Sequence, residues 1–247
     1  MLLLAGIVLH SLILTAQQRP VVEFRVTDAY VSYTAEETNL GSSLKTTVGR
    51  NDKLSLELNA SPETTQAKLL ISSSGFKTDR PMRDWSVKTL YLKSSQYPEI
   101  TFELLKVDGE PLAKVLRPIN KNIVMKTDPQ NTTVALVLPA AASDPIILRV
   151  GNDELSVEGK LRDDILNALH SDKGEIHITG RLTVTGGSKD FDTAVSFKKT
   201  GADTFALSSI INAQFTDFGM TAPNLAWFIA VHNKIVLEGH AVLDILK

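Results

Sequence analysis

Along residues 234–245, KIVLEGHAVLDI, apolar and polar side chains take turns. Ile235, Leu237, Ala241, Leu243 and Ile245 point one way, and Val236, Glu238, His240 and Asp244 the other. A period of two marks an extended strand with one buried face. The same rhythm runs through EIHITGRLTV, FDTAVSFK and DTFALSSIINAQF after Gly174. Near the start it runs through VVEFRV, AYVSYTA, LSLELNA and AKLLISSSGF, each rich in β-branched and aromatic residues. Asn39-Leu40-Gly41-Ser42-Ser43 reads as a turn or loop, and Ser61-Pro62 as a break. Short strands at this spacing form a meander, so the chain is expected to be mainly β and to close as an antiparallel barrel. If the apolar faces line that barrel, its interior is either packed solid or left as a dry tunnel.

Composition narrows the class. A chain of 247 residues can bury a large core as one domain, and 43% hydrophobic with 22% charged residues excludes a disordered or fibrous polymer. Lys plus Arg at 26 against Asp plus Glu at 28 leaves no basic field to gather phosphates, so nucleic acid is not an expected partner. Cysteine is absent, which removes disulfides, thiolate catalysis, Cys-based zinc sites and c-type haem attachment together. Residues 1–18 read as a signal peptide: an apolar run at 2–14, interrupted by His10 and Ser11, precedes the small residue Ala16. The run is short for a membrane span, but without Lys or Arg near Met1 a retained anchor or a buried first strand stays open. Cleavage there implies a periplasmic or secreted protein, with residues 19–247 as its folded domain.

The stretch 76–102, FKTDRPMRDWSVKTLYLKSSQYPEITF, joins a charged turn, a helix over 79–92 and a strand. Asp79 can cap the helix, Pro81 is tolerated in its first turn, and Met82, Trp85 and then Tyr91 or Leu92 would be its buried residues. After Ser94, Ser95 and Pro98, the residues Ile100, Phe102 and Leu104 alternate with Thr101 and Glu103. A short helix therefore lies across the approach to a sheet, near one opening of the barrel.

Three groups of residues in this order resemble the YceI-like family. Arg83, Asp84 and Leu92 followed by Tyr97, Pro98, Ile100, Thr101 and Phe102 are similar to its Arg-Asp pair, Leu segment and Tyr-Pro-x-Ile-Thr-Phe strand. Gly180-Arg181-Leu182-Thr183-Val184-Thr185-Gly186 resembles its Gly-x-Leu-Thr-x-x-Gly, with Ser188 and Lys189 where Thr-Lys is usual. Phe215-Thr216-Asp217-Phe218-Gly219-Met220 resembles its late Asp-Phe-Gly-Met. The resemblance implies a lipocalin-like barrel of the bacterial periplasm or exterior that binds an isoprenoid lipid in a tunnel. Residues 104–173 depart from the family pattern as a strand-rich insertion: NIVMKT, TTVALVLP, PIILRV and ELSVEG read as strands. Leu161, Ile165, Leu166 and Leu169 share one face of a helix there. This insertion is expected to be ordered and to extend the barrel or cover its mouth.

No catalytic constellation is legible. His170, His177, His232 and His240 show no metal spacing, and no Gly-x-Ser-x-Gly accompanies them; only a triad assembled from distant residues stays open. His177 and His240 belong on outward faces. The Asn131-Thr132-Thr133 sequon matters only in a eukaryotic secretory route. Neither metal nor cofactor is expected. Arg83 and Asp84, adjacent on a helix and so pointing apart, either orient a polar head group at the mouth or pin the helix to loop carbonyls. Asp217 and Met220 either touch a ligand or flank a bulge or close backbone approach at Gly219.

Two functions follow. One is a binding or transport protein, without enzymatic activity, for a polyprenyl lipid or isoprenoid quinone, in transient contact with membrane; its tail would meet Phe76, Trp85, Tyr91, Phe102, Leu182, Val195, Phe197, Phe218 and Trp227. The other is a solid-core envelope or stress protein acting through its outer surface or the insertion. A homodimer is compatible with either.

Overall fold

The structure, a computed structural model, describes residues 19–39, 44–130, 132–222 and 229–246. The signal segment 1–18, most of the expected loop at 39–43, Asn131 of the sequon and Trp227 lie outside the described residues.

Where the alternation suggested two strands, there is one, β1 (Val21–Asn39). Val26 pairs with Leu243 and Asp28 with Val242, which leaves Thr27 as an extra residue. One inserted residue sends every later side chain to the opposite face. The inward set therefore passes from Phe24 to Ala29, Val31 and Ala35 without a break in pairing, and that change of phase hid the continuity. The strand β2 (Leu44–Asn51) was not read at all, because its buried positions hold Thr47, Gly49 and Asn51 rather than large apolar residues. Then β3 (Leu54–Ala60), β4 (Thr65–Ser72) and β5 (Glu99–Val107) form a meander, whereas the run expected from residue 21 onward is interrupted, because β2 pairs with β1 and β3 with β4 and β8. Between β4 and β5, helix α1 (Pro81–Ser86) runs directly into a π-helical turn, Val87–Tyr91.

The described residues of 104–173 form the end of β5 and then β6 (Glu110–Pro111), α2 (Leu112–Val115), β7 (Leu116–Pro118), β8 (Ile123–Thr127), β9 (Thr133–Val137), β10 (Ile146–Val150), β11 (Asp153–Val157) and α3 (Gly159–Ser171). The chain closes with β12 (Lys173–Val184), β13 (Gly187–Lys199), β14 (Thr204–Gln214) and β15 (Ile229–Leu246).

All pairings are antiparallel, in the order β7-β11-β10-β9-β1-β15-β14-β13-β12-β5-β4-β3-β8, with β2 added to β1 and β6 to β5. The sheet curls into a nearly closed barrel. Its seam is fastened where Arg50 and Lys77 exchange backbone hydrogen bonds of 2.9 Å each way and Asn51 donates to the Ser72 carbonyl at 2.7 Å. Two partners share β1: β9 takes the first half, at Val21 to Arg25, and β2 the second, at Val31 to Thr38. The middle segment thus adds β9 to one edge of the barrel and β8 to the other, at β3.

Its side chains seal that end. Ile123 and Leu155 pack with Leu58 and Ala60. Phe24, Phe205, Ile146 and Val157 form a second cluster against Leu161, Ile165, Leu166 and Leu169 of α3. The expectation of an extension or a cover resolves into an extension of the sheet and a plug, at the end of the barrel away from α1.

Candidate functional site

Stretches far apart in the chain meet at the α1 end. Ile100 of β5, Leu182 and Val184 of β12, and Phe218 share one cluster with Val31, Ile71 and Phe76, and Phe102 packs against it. Phe102 pairs with Leu182, and its ring lies over Gly180, where a Cβ would come within 2.1 Å. A residue without a side chain is required at that crossing. Asp217 joins two of the motifs: Lys189 donates to its Oδ1 at 2.8 Å, and the Gln214 N–H donates to its Oδ2 at 2.8 Å. The Lys189 bond first, then the Gln214 amide, holds the Asp217 carboxyl below the ordinary carboxylate range. Asp217 so clamps the 3-10 turn Phe215–Phe218 and does not line the space inside. Gly219 is neither a bulge nor a close approach: it ends that turn in the left-handed region at φ 67°, with no heavy atom near its missing Cβ.

Within the cluster is a cavity of about 320 Å³, in the range of small-molecule sites. Of the residues expected along a tunnel, Phe76, Tyr91, Phe102, Leu182, Val195 and Phe218 line it, and so does Arg83. Val31, Tyr33, Ala35, Ile211, Ile235 and Leu237 complete much of the wall. Their strand alternation was the signal that could have named them. Phe197 does not line it; its ring lies against Gly174 beside Ala168, farther toward the sealed end. Asp84 does not line it either, because its Oδ1 accepts the backbone N–H and the hydroxyl of Thr78, both at 2.7 Å. That carboxylate anchors the loop entering the helix.

The start of the helix is turned over relative to expectation, whereas Tyr91 and Leu92 face inward as expected. Met82 is 78% exposed and Trp85 56%, while Arg83, Val87, Tyr91 and Leu92 face the cavity and Ser86 is buried. Two contacts set this face. Arg83 reaches Glu37 at 3.4 Å and pairs with Asp79, which therefore does not cap the helix; the cap position is Arg80, with no side-chain bond. The wide turn does the rest: the Leu92 N–H reaches the Val87 carbonyl at 2.8 Å, five residues back, so Tyr91 and Leu92 both turn inward. Burial pushes the Tyr91 phenol up, and pushes that of Tyr33 up to about 12.

His177 is exposed, and His240 stacks outside the barrel on Tyr30, with centroids 4.8 Å apart. Among the described residues no three His, Asp or Glu side chains are placed to share a metal ion. The cavity can therefore bind and orient an apolar ligand, with Tyr33, Glu37, Thr47 and Arg83 as a polar edge and Ser209 elsewhere on the wall.

Residues 23–243 match a family model described as YceI-like domain. Among solved structures, a polyisoprenoid binding domain from Saccharophagus degradans implicated in plant cell wall breakdown aligns at a TM-score of 0.50 and 13% identity, over 90% of this chain and 98% of that one. BcnA of Burkholderia cenocepacia aligns at 0.44 and 14% identity, over 87% and 95%. The YCEI protein of Campylobacter jejuni aligns at 0.39 and 14%, over 83% and 86%. Likeness at such identity concerns the fold. A sequence comparison with curated proteins finds no match.

Proposed function

The chain belongs to the YceI-like family, and on that premise we propose that its cavity holds the tail of a linear isoprenoid lipid, a polyprenyl lipid or prenyl quinone, which the protein carries or stores without chemical change. The observation that carries this is the cavity: almost wholly apolar, sealed below by packed side chains and roofed by one short helix. The polyisoprenoid binding domain that shares the fold supports the choice of ligand. A solid barrel acting through its surface fits the sealed end but not the hollow one.

Magnitudes permit the reading. At about 0.8 kcal/mol for each buried methylene-sized group, a few isoprene units supply most of any practical affinity. A bilayer offers the same tail an equally apolar home, so the net preference is small and exchange is reversible. Met82, Trp85 and Leu90 stand exposed on the helix whose other side lines the cavity. They give the protein a surface for transient membrane contact at the place where a tail enters. With residues 1–18 removed as a signal, that exchange belongs to the periplasm or the cell exterior.

The test is mass spectrometry of an organic extract of the purified protein, with near-equimolar isoprenoid lipid expected. A protein that carries none, and does not bind an added prenyl quinone in titration, overturns the reading.

A further inference from the structure

Among the described residues, apart from Ser209 on β14, which bonds Thr193, the polar groups of the cavity wall gather at one edge built from two neighbouring strands and the helix. In the β1–β2 register Ala35 stands opposite Thr47 and Glu37 opposite Lys45, so Tyr33 and Glu37 flank Thr47 on the inward face. Thr47 is 7% exposed and lines the cavity, and its hydroxyl, buried in the wall, has no hydrogen-bond partner among the described residues, so that a turn about χ1 would present it to a ligand. Buried hydroxyls left so are few in folded proteins, and a ligand oxygen in the cavity would satisfy this one. Tyr33 keeps its proton across the physiological range, because burial lifts its phenol to about 12, and its ring, lying over Gly49 on the same inward face, adds a second hydroxyl to the cavity wall.

The charges at this edge cancel one another. Glu37 is 8% exposed and accepts from Arg83, whose guanidinium is also held by Asp79. Asp84 is occupied by Thr78, and Arg80 pairs with Asp79 outside the wall. Lys45, opposite Glu37, lies at the exposed start of β2. Among the described residues that line the wall, the cation Arg83 is matched by carboxylates, and an anionic head would bring its charge against Glu37 in apolar surroundings, where isolated charge is strongly disfavoured.

Resting on the isoprenoid reading and sharpening it, we infer that the Tyr33–Thr47–Glu37 edge is the head-group site and takes an uncharged oxygen head, an alcohol or a quinone carbonyl, in preference to a phosphate or diphosphate. A carbonyl accepts from the Thr47 or Tyr33 hydroxyl, and an alcohol in addition donates to Glu37. Arg83 is then a positioning residue that holds Glu37.

Three ligands with one tail test this: geranylgeraniol, geranylgeranyl phosphate and the headless C20 hydrocarbon, each displacing a fluorescent apolar probe from the protein. The alcohol is expected to bind about tenfold more tightly than the hydrocarbon, and the phosphate about tenfold more weakly than the alcohol. Thr47→Val, close in shape and free of the unpartnered hydroxyl, should fold with an unchanged or raised Tm and lose most of the preference for alcohol over hydrocarbon. Glu37→Gln should narrow the gap between phosphate and alcohol. Equal binding of all three ligands, or tighter binding of the phosphate, overturns this inference while leaving the tail reading intact. Binding of none overturns both.

Discussion

At one end of β1, Phe24 meets Phe205 edge-on with centroids 6.3 Å apart, and Ile146 and Val157 fill the space beside them. At the other end of the same strand, Val31, Tyr33 and Ala35 face a cavity. The border between these regions coincides with two extra residues, Thr27 in β1 and Leu105 in β5, where the paired strands slip by one. Such bulges increase local twist and re-aim the side chains beyond them. What separates packed from hollow is therefore not the alternation, which runs through both halves, but what each end receives from elsewhere in the chain. The sealed end receives β7 to β11 with α2 and α3, and the other receives α1 and one wide turn. Filling is a property of the segments that arrive, not of the strands that enclose.

The sharpest break of this comparison is a pair of truncations. Leu155→Ala, at 1% exposure in the sealed end, should cost about 3 kcal/mol in urea denaturation. Leu237→Ala on the cavity wall should cost about 1 kcal/mol, because one side of that leucine already lacks partner atoms. Equal losses would mean that the two ends are packed alike.

A pair of enlargements should divide the ends in the opposite sense. Ala60→Phe forces a ring into packed side chains and should destabilise by about 2 kcal/mol, whereas Ala35→Phe enters the cavity and should cost under about 1 kcal/mol. Only the second should reduce bound lipid, read by extraction from folded protein.

A smaller effect is expected from the outward face of α1. Trp85→Ser should change stability by no more than about 0.5 kcal/mol, since the ring is mostly exposed, yet lower partition onto lipid vesicles in a flotation assay. Unchanged partition would remove the membrane role given to that face.

The smallest concerns acid. Asp217 holds the turn at the hollow end with its carboxyl lowered, so its contribution is present above the ordinary carboxylate range and lost as pH falls through the lowered value. Asp217→Asn should therefore lower Tm slightly at neutral pH, leave it unchanged at acid pH, and so flatten the dependence of Tm on pH in that acid window. An unaltered slope would show that the Lys189 pair is immaterial to the turn.

Much of the fold was legible because a strand's two faces are decided within the strand. Leu54, Leu56 and Leu58, or Ile235 and Leu237, carry their own signal of extended backbone. Phe102 carried the alternation of its strand, but nothing local said that its ring would lie over Gly180. The helix was placed but misoriented: reading Met82 and Trp85 as buried assumes that the largest apolar residues face the protein. Here Arg83 is drawn inward by Glu37 from a strand 46 residues earlier. The edge formed by Tyr33, Thr47 and Glu37 was invisible for the same reason, since β2 has no apolar alternation and its hydroxyl matters only beside its neighbours. Period, turn chemistry and the barrel class are local properties, and the sequence by itself determined them. Which interior stayed hollow, which way the helix rolled and which polar atom was left without a partner were decided only by tertiary structure. Each depends on volumes and charges that distant segments bring to the same place.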